Sequence, residues 1–142
     1  MGRVLLRRLP EMLDRRRRYA SILTRRFSEM PALRVTIPPA NVMHSYYKYY
    51  AFARPERLRT GWTRDRLIES IKAEGVPCFS GSCSEIYLEK AFRPEMKPPH
   101  RLPRAKELGE TSLMFLVHPT LSDQDMHDTA DAVEKVLTHA VN

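Results

Sequence analysis

Five histidines, six lysines, two cysteines and a serine-rich turn are the groups in this chain suited to acid–base, metal or covalent chemistry. His44, His100, His118, His127 and His139 include no pair at the H-x-x-x-H spacing that sets two imidazoles on one helix face. None stands at zinc-finger distance from a cysteine, so the spacing offers no metal site. Cys78 and Cys83 lie five apart, which is not the C-x-x-C of redox or zinc sites, and free thiols are expected. Phe79-Ser80-Gly81-Ser82-Cys83-Ser84 has the outline of a nucleophile elbow. It lacks the flanking glycines of G-x-S-x-G, and no oxyanion loop precedes it. It reads instead as a strand-to-helix turn with Ser84 as N-cap. Phosphate-cradling glycine motifs are absent.

His44 directly precedes a strand, a place from which a side chain projects into a cleft or simply hydrogen-bonds at the strand start. Both readings stand on the residues alone. Tyr46, Tyr47, Tyr49 and Tyr50 fit core and interface packing better than ligand contact.

The net charge of +7 is concentrated. Residues 1–30 hold nine arginines against Glu11, Asp14 and Glu29, whereas the other 112 residues hold 15 basic and 14 acidic side chains. One helix therefore carries almost the whole excess. Its arginines are not interleaved with aromatics, which favours a solvated face or an acidic protein surface over nucleic acid. No run approaches the roughly 20 apolar residues of a membrane span, and no secretory or myristoylation signal is visible, so a cytoplasmic protein is expected.

Periodicity supplies the elements. Val4, Leu5, Leu9, Met12, Leu13, Ala20, Leu23 and Phe27 recur at helical steps over the first 30 residues, with a break expected near Leu9-Pro10. Leu33 to Ile37 alternates as a short strand, and Ser45 to Ala53 reads as a longer one. Thr63 is placed to cap a helix over 64–74, and Gly75 stands where a left-handed residue closes it. Val76 to Phe79 reads as a strand, 85–92 as a short helix, and the proline-rich 94–103 as loop. One or two helical turns are expected over 105–108. Ser112 to Val117 is the best candidate for a central strand, and Ser122 with Asp125 caps the last helix. The order predicts an α+β domain, a small and mostly antiparallel sheet covered by helices. Residues 1–30 form a linking or docking helix appended to the small domain of residues 31–142.

Several stretches together resemble the C-terminal third of the DegT/StrS-like nucleotide-sugar aminotransferases. Gly2-Arg3-Val4 through Leu9-Pro10-Glu11-Met12 and Arg15-Arg16-Arg17 is similar to a family helix. His44-Ser45-Tyr46-Tyr47 with Tyr49, Tyr50 and Phe52 is similar to its H-x-x-Y-x-F/Y strand. Gly75-Val76-Pro77-Cys78 and Leu113 to Asp123 follow in the family's order. Leu5 stands where a polar residue is usual, and Phe115 replaces a usual proline.

The resemblance implies the small domain of the aspartate-aminotransferase fold, closing one side of a sugar-nucleotide cleft. His44, Ser80 and Ser82 are its implied substrate contacts. It implies pyridoxal phosphate (PLP) in the intact family, held by a large domain with its Schiff-base lysine, a carboxylate for the ring nitrogen and a stacking group. None of Lys48, Lys72, Lys90, Lys97, Lys106 and Lys135 has the family's lysine context, so the chain itself is expected to hold no cofactor, contain no catalytic residue and be inactive alone. The expected partners are a missing large domain or a complementary chain, together with self-association through the N-terminal helix. The alternative is a stand-alone binding or dimerisation module that uses the basic helix against an acidic partner or nucleic acid.

Overall fold

Apolar residues at steps of three and four carry the leading helix to Ser28 without interruption. In the computed structural model, which describes residues 2–141, α1 spans Gly2–Ser28 with Pro10 inside it. The break expected at Leu9 does not occur. Pro10 removes one N–H and deprives the Leu6 carbonyl of its helical partner, but residues 2–10 are exposed throughout, so water can take that bond. Nor is α1 an appendage along its whole length: Tyr19, Ala20, Leu23 and Phe27 are buried in the core.

Four strands follow, β1 (Leu33–Val35), β2 (Tyr49–Ala53), β3 (Cys78–Ser80) and β4 (Ser112–Phe115), separated by α2 (Arg64–Ala73) and α3 (Pro103–Thr111) and closed by α4 (Asp123–Ala140). They form one sheet in the order β1-β2-β4-β3, with every pair antiparallel. β4 lies between β2 and β3 and buries all four of its residues, as its unbroken apolar run requires. The register places Leu33 beside Ala53, Ala51 beside Leu113, and Tyr49 and Cys78 on either side of Phe115. Those side chains share one face and meet Leu23 and Phe27 of α1, Leu67 and Ile71 of α2, and Met126, Ala130 and Val133 of α4. Phe27 packs on Tyr49 and Phe115 with ring centroids 5.9 and 5.2 Å away. The Tyr49 hydroxyl reaches Thr24 Oγ1 at 2.9 Å, and burial pushes its pKa up to about 12. The alternate residues Arg34, Tyr50, Phe52, Ser112 and Met114 face the other way. There Arg34 meets Glu107 of α3 at 3.6 Å.

Local signals set the helix ends. The Thr63 side chain accepts the Arg66 N–H, and Gly75 takes φ +88° after α2. Ser122 and Asp125 form a reciprocal capping box at α4. Elsewhere the elements differ from expectation. β2 begins at Tyr49, four residues later than predicted, and the helix expected over 85–92 is a single 3₁₀ turn at Ile86–Leu88. Ser84 does not cap it; its hydroxyl instead packs beside Gly109, where a Cβ would collide with it. α3 is longer than expected because Pro103 supplies a preformed first turn.

Phe27→Ala removes the ring that joins α1 to β2 and β4. It is expected to cost about 3–5 kcal/mol of unfolding free energy, measured by denaturant titration. A cost below about 1 kcal/mol would show that α1 is not held by this contact.

Candidate functional site

The segment between β1 and β2 makes a cavity of about 400 Å³ against the second face of the sheet. Pro38, Val42, His44, Lys48, Tyr50 and Phe52 are among its lining residues. The lining is mainly apolar and contains no carboxylate; its side chains include the His44 imidazole, the Lys48 ammonium, the Thr36 hydroxyl and the tyrosines Tyr46, Tyr49 and Tyr50. Exposed Ile37, Val42, Met43 and Tyr47 lie on the same segment; Met43 and Tyr47 are 83% and 75% exposed.

His44 is placed by its neighbours. Its Nδ1 accepts the Tyr46 N–H at 3.0 Å, and its ring meets that of Tyr46 at 4.3 Å. An accepting Nδ1 puts the proton of the neutral ring on Nε2 and leaves that N–H available as a donor. Tyr46 turns the chain with φ +45°, a left-handed conformation that β-ladder residues do not adopt. The carbonyls around it go to α1. Arg17 Nε donates to His44 O at 3.1 Å, and an Arg16 terminal N–H donates to Tyr46 O and Tyr47 O, each at 3.3 Å. These bonds explain why the strand expected from Ser45 starts only at Tyr49.

Tyr50 connects the cavity to the serine-rich turn. It lines the cavity, and its hydroxyl lies 3.0 Å from Ser82 Oγ. The turn approaches the sheet closely: Gly81 N–H donates to Ser112 Oγ at 3.1 Å, and a Cβ on Gly81 would stand 2.5 Å from that oxygen and 3.2 Å from the Tyr50 ring. Only glycine fits there. The structure thus groups His44 and Ser82 about Tyr50. Ser80 pairs with Leu113 in the ladder, whose side chain belongs to the helix-covered face, so alternation turns the Ser80 side chain away from the cavity. Sequence reasoning does not single out Tyr50 or Gly81. The aromatic density around 46–52 marks Tyr50 only as a packing residue, and a glycine's close approach is a tertiary fact.

Beyond the turn, the 81–102 connection is closed by a clasp. Arg101 donates to both carboxylate oxygens of Glu85, Tyr87 donates its hydroxyl hydrogen to Glu85 Oε1 at 2.7 Å, and the Tyr87 oxygen accepts Leu102 N–H at 2.9 Å. The Arg101 guanidinium, and then the Tyr87 hydroxyl, hold the Glu85 pKa down to about 2. Cys78 is buried in the core, which pushes its thiol up to about 12 and leaves it unreactive. Exposed Cys83 donates to Glu89 at 3.3 Å.

The arginine excess is largely internal. Arg15 donates to Pro119 O at 3.2 Å, Arg18 pairs with Asp123, and Arg26 pairs with Asp131 and Glu134 at 2.7 Å each. Together with Arg16 and Arg17, these groups join α1 to the site segment and to α4. Arg3, Arg7 and Arg8 lie on the exposed first turns.

Four of the six lysines have surroundings that do not fit PLP. Lys48 stands 5.7 Å over the Tyr47 ring in a cavity without a carboxylate to pair a pyridine nitrogen. Lys72 lies over Phe79, Lys135 is paired with Glu74 at 2.6 Å, and Lys106 is half-exposed 4.0 Å from Glu110. A Schiff-base lysine requires a desolvated amine among groups that hold the ring and phosphate, and none of these four has them. Among the described residues, no group of three or more His, Cys, Asp or Glu side chains converges on a metal position, and no helix is long and apolar enough to cross a membrane.

Comparison with known proteins places the chain in a family. Residues 1–134 match the family profile of the DegT/DnrJ/EryC1/StrS aminotransferases. The dTDP-4-dehydro-2,3,6-trideoxy-D-glucose 4-aminotransferase of Saccharopolyspora spinosa is 28% identical over 149 aligned positions, covering 100% of this chain and 34% of that protein. An aminotransferase from Psychrobacter cryohalolentis superposes with a TM-score of 0.90 at 41% identity, over 97% of this chain and 37% of its own. The aminotransferase TlmJ from Streptoalloteichus hindustanus gives 0.82 at 29% identity, over 97% and 35%. The α+β unit corresponds to the C-terminal region of these folds, and the chain spans about a third of the length of the relatives it matches.

The clasp predicts a pH dependence. The Glu85 pKa is lowered from 4.5 to about 2 on folding, so its contribution to stability is complete above about pH 4.5 and is lost as pH falls toward about 2. The difference in melting temperature between the wild type and E85Q should therefore be constant above that range and close below it. A difference that does not change with pH would contradict the pairing.

Proposed function

From its membership of the DegT/DnrJ/EryC1/StrS aminotransferase family, to which this chain belongs, we propose that it serves as the small domain of a PLP-dependent aminotransferase acting on keto-sugar nucleotides. The family uses PLP, which supplies the amine-transfer chemistry when bound. The lysine environments described above do not hold that group, so the proposal places it on a cofactor-binding domain of the same or another chain. This chain alone is then inactive.

The observation that carries the reading is the cavity on the second face of the sheet, where His44 and Lys48 stand beside Tyr50 and, through it, Ser82. Its walls suit a phosphorylated sugar. Pro38, Val42 and Phe52 offer apolar surface to a ring face, the His44 Nε2–H and the Tyr50 hydroxyl offer hydrogen bonds, and Lys48 offers a cation to a phosphate. In this role the residues bind and orient substrate and exclude water from one side of the cleft; they transfer no proton. The relative from Saccharopolyspora spinosa carries a dTDP-sugar in its name, which supports a nucleotide-linked substrate.

The first turns of α1 fit the docking role expected for residues 1–30. Val4, Leu5, Leu6 and Leu9 are between 43% and 67% exposed on a helix whose buried residues begin at Tyr19. An apolar face of that kind is stabilised by a partner. The cofactor-binding domain is the partner proposed, and a second copy takes its place when the chain is alone. The isolated chain should then self-associate with concentration by light scattering, and L5K/L9K should be monomeric. A wild-type monomer at high concentration would remove the docking role from this face.

The catalytic reading is tested by supplying the remaining portion of the 41%-identical relative in trans. Amine transfer to a keto-sugar nucleotide should require both pieces. H44A and Y50F should each raise the KM for the sugar nucleotide about fivefold, the size of one lost hydrogen bond. Turnover by the chain alone, or an unchanged KM in both variants, would overturn the proposal.

A further inference from the structure

The structure assigns Arg16 and Arg17 as positioning residues for the candidate site, acting through the backbone of the 44–47 segment. This inference rests on the reading of His44 as a substrate contact, and it extends the machinery to a helix that the sequence marks only as a basic docking surface.

The carbonyls of His44, Tyr46 and Tyr47 lie outside any β-ladder, and each accepts from a guanidinium of α1, at 3.1, 3.3 and 3.3 Å. The Tyr46 backbone is left-handed, a conformation a tyrosine adopts only where its surroundings compensate. The Tyr46 N–H then points at His44 Nδ1 from 3.0 Å, which sets both the orientation of the imidazole and the nitrogen that carries its proton. Arg16 also lies 5.6 Å from the centroid of the Tyr47 ring, which closes the segment from outside.

The side chains of Arg16 and Arg17 suit this function in a way lysines would not. A guanidinium offers N–H groups in a fixed plane, so one terminal nitrogen can serve two neighbouring carbonyls while the Nε of the other serves a third. Arg17 lies 3.8 Å from Asp14, one turn earlier on α1, which restrains its side chain on the helix surface. The helix itself is anchored by Tyr19, Leu23 and Phe27 in the core. The chain of support therefore runs from the core to α1, from α1 to the carbonyls, and from the Tyr46 amide to the His44 ring. Arg16 and Arg17 touch no cavity-facing atom of that ring; they act through the segment that carries it.

The test uses the 142-residue chain itself and needs no substrate. In the wild type, long-range proton–nitrogen NMR correlations should report the Nε2–H form of His44, and exchange should show the Tyr46 amide to be protected. In R16Q/R17Q that amide should exchange at least about tenfold faster, the equivalent of one charge-assisted hydrogen bond lost, and His44 should move to a mixture of tautomers. R17K is measured in parallel because it keeps the charge and the aliphatic stem but has no Nε–H. It should show the same change in His44 with a melting temperature within about 2 °C of wild type, as expected for an exposed substitution. A purely structural role would lower the melting temperature and leave the tautomer alone. Wild-type exchange and an Nε2–H His44 in R17K would overturn the assignment, including the case in which the double variant fails to fold. If R17K shifts the tautomer while H44A leaves the KM of the complemented enzyme unchanged, the positioning holds and the substrate-contact reading falls.

Discussion

The seating of Phe27 between Tyr49 and Phe115 is the contact on which the remaining layers depend. It brings a helix from the start of the chain onto the two inner strands, and those strands come from positions far apart in sequence. With Leu23 and Tyr19 in line behind it, the contact fixes both the rotation and the axial position of α1. Everything attached to the next two turns of the helix inherits that position. Arg15, Arg16, Arg17 and Arg18 reach Pro119, the site segment and Asp123 because they occupy the turn that directly precedes the buried stripe. An apolar core contact thus determines where a set of charged donors lies, and those donors determine the path of a loop that carries an imidazole.

This changes the meaning of the charge distribution. An arginine-rich helix in an otherwise balanced chain invites an external anion as its explanation. Here many of its guanidinium groups have partners within the domain: backbone carbonyls for Arg15, Arg16 and Arg17, and carboxylates of α4 for Arg18 and Arg26. Exposed pairs of this kind contribute little stability individually. Their value is geometric, since several converge on the same two partners, the site segment and α4. Apart from exposed Arg25 in the last turn, the basic residues left to face outward lie on the first turns beside the exposed leucines, so charge and apolar surface coincide on the part of the helix that the domain core does not use.

What the amino-acid order makes legible divides along the line between local and long-range causes. Thr63, Gly75 and the Ser122–Asp125 pair act within a few residues, so the bounds of α2 and the start of α4 can be read directly from their own neighbourhoods. The unbroken apolar run at Ser112 marks the inner strand correctly for the same reason. Three other features depend on tertiary surroundings that no window could contain. Pro10 does not break its helix because nothing packs around it, the 45–48 segment is not a strand because α1 takes its carbonyls, and residues 85–92 form short turns instead of a helix because Glu85 is engaged by Arg101. At the site, His44 and Ser82 are visible as residue types in loops. Tyr50, which lies between them, is not, because one tyrosine among several gives no sign of which face it will take until the register is known.

The register also has a consequence for how the domain is made. β4 sits between β2 and β3, yet its residues pair with residues as many as 66 positions earlier, Phe115 with Tyr49. Until β4 arrives, β3 has no neighbour in the sheet, and β2 has only the three-residue β1. A growing polypeptide therefore cannot assemble this sheet strand by strand. It must keep one edge of β2 and the whole of β3 unpaired on the ribosome until most of the domain has been synthesised, and then close in one late, cooperative step. Translation speed through the proline-rich stretch before α3 would set how long those open strand edges wait, and with it the exposure of the nascent chain to aggregation and to chaperones.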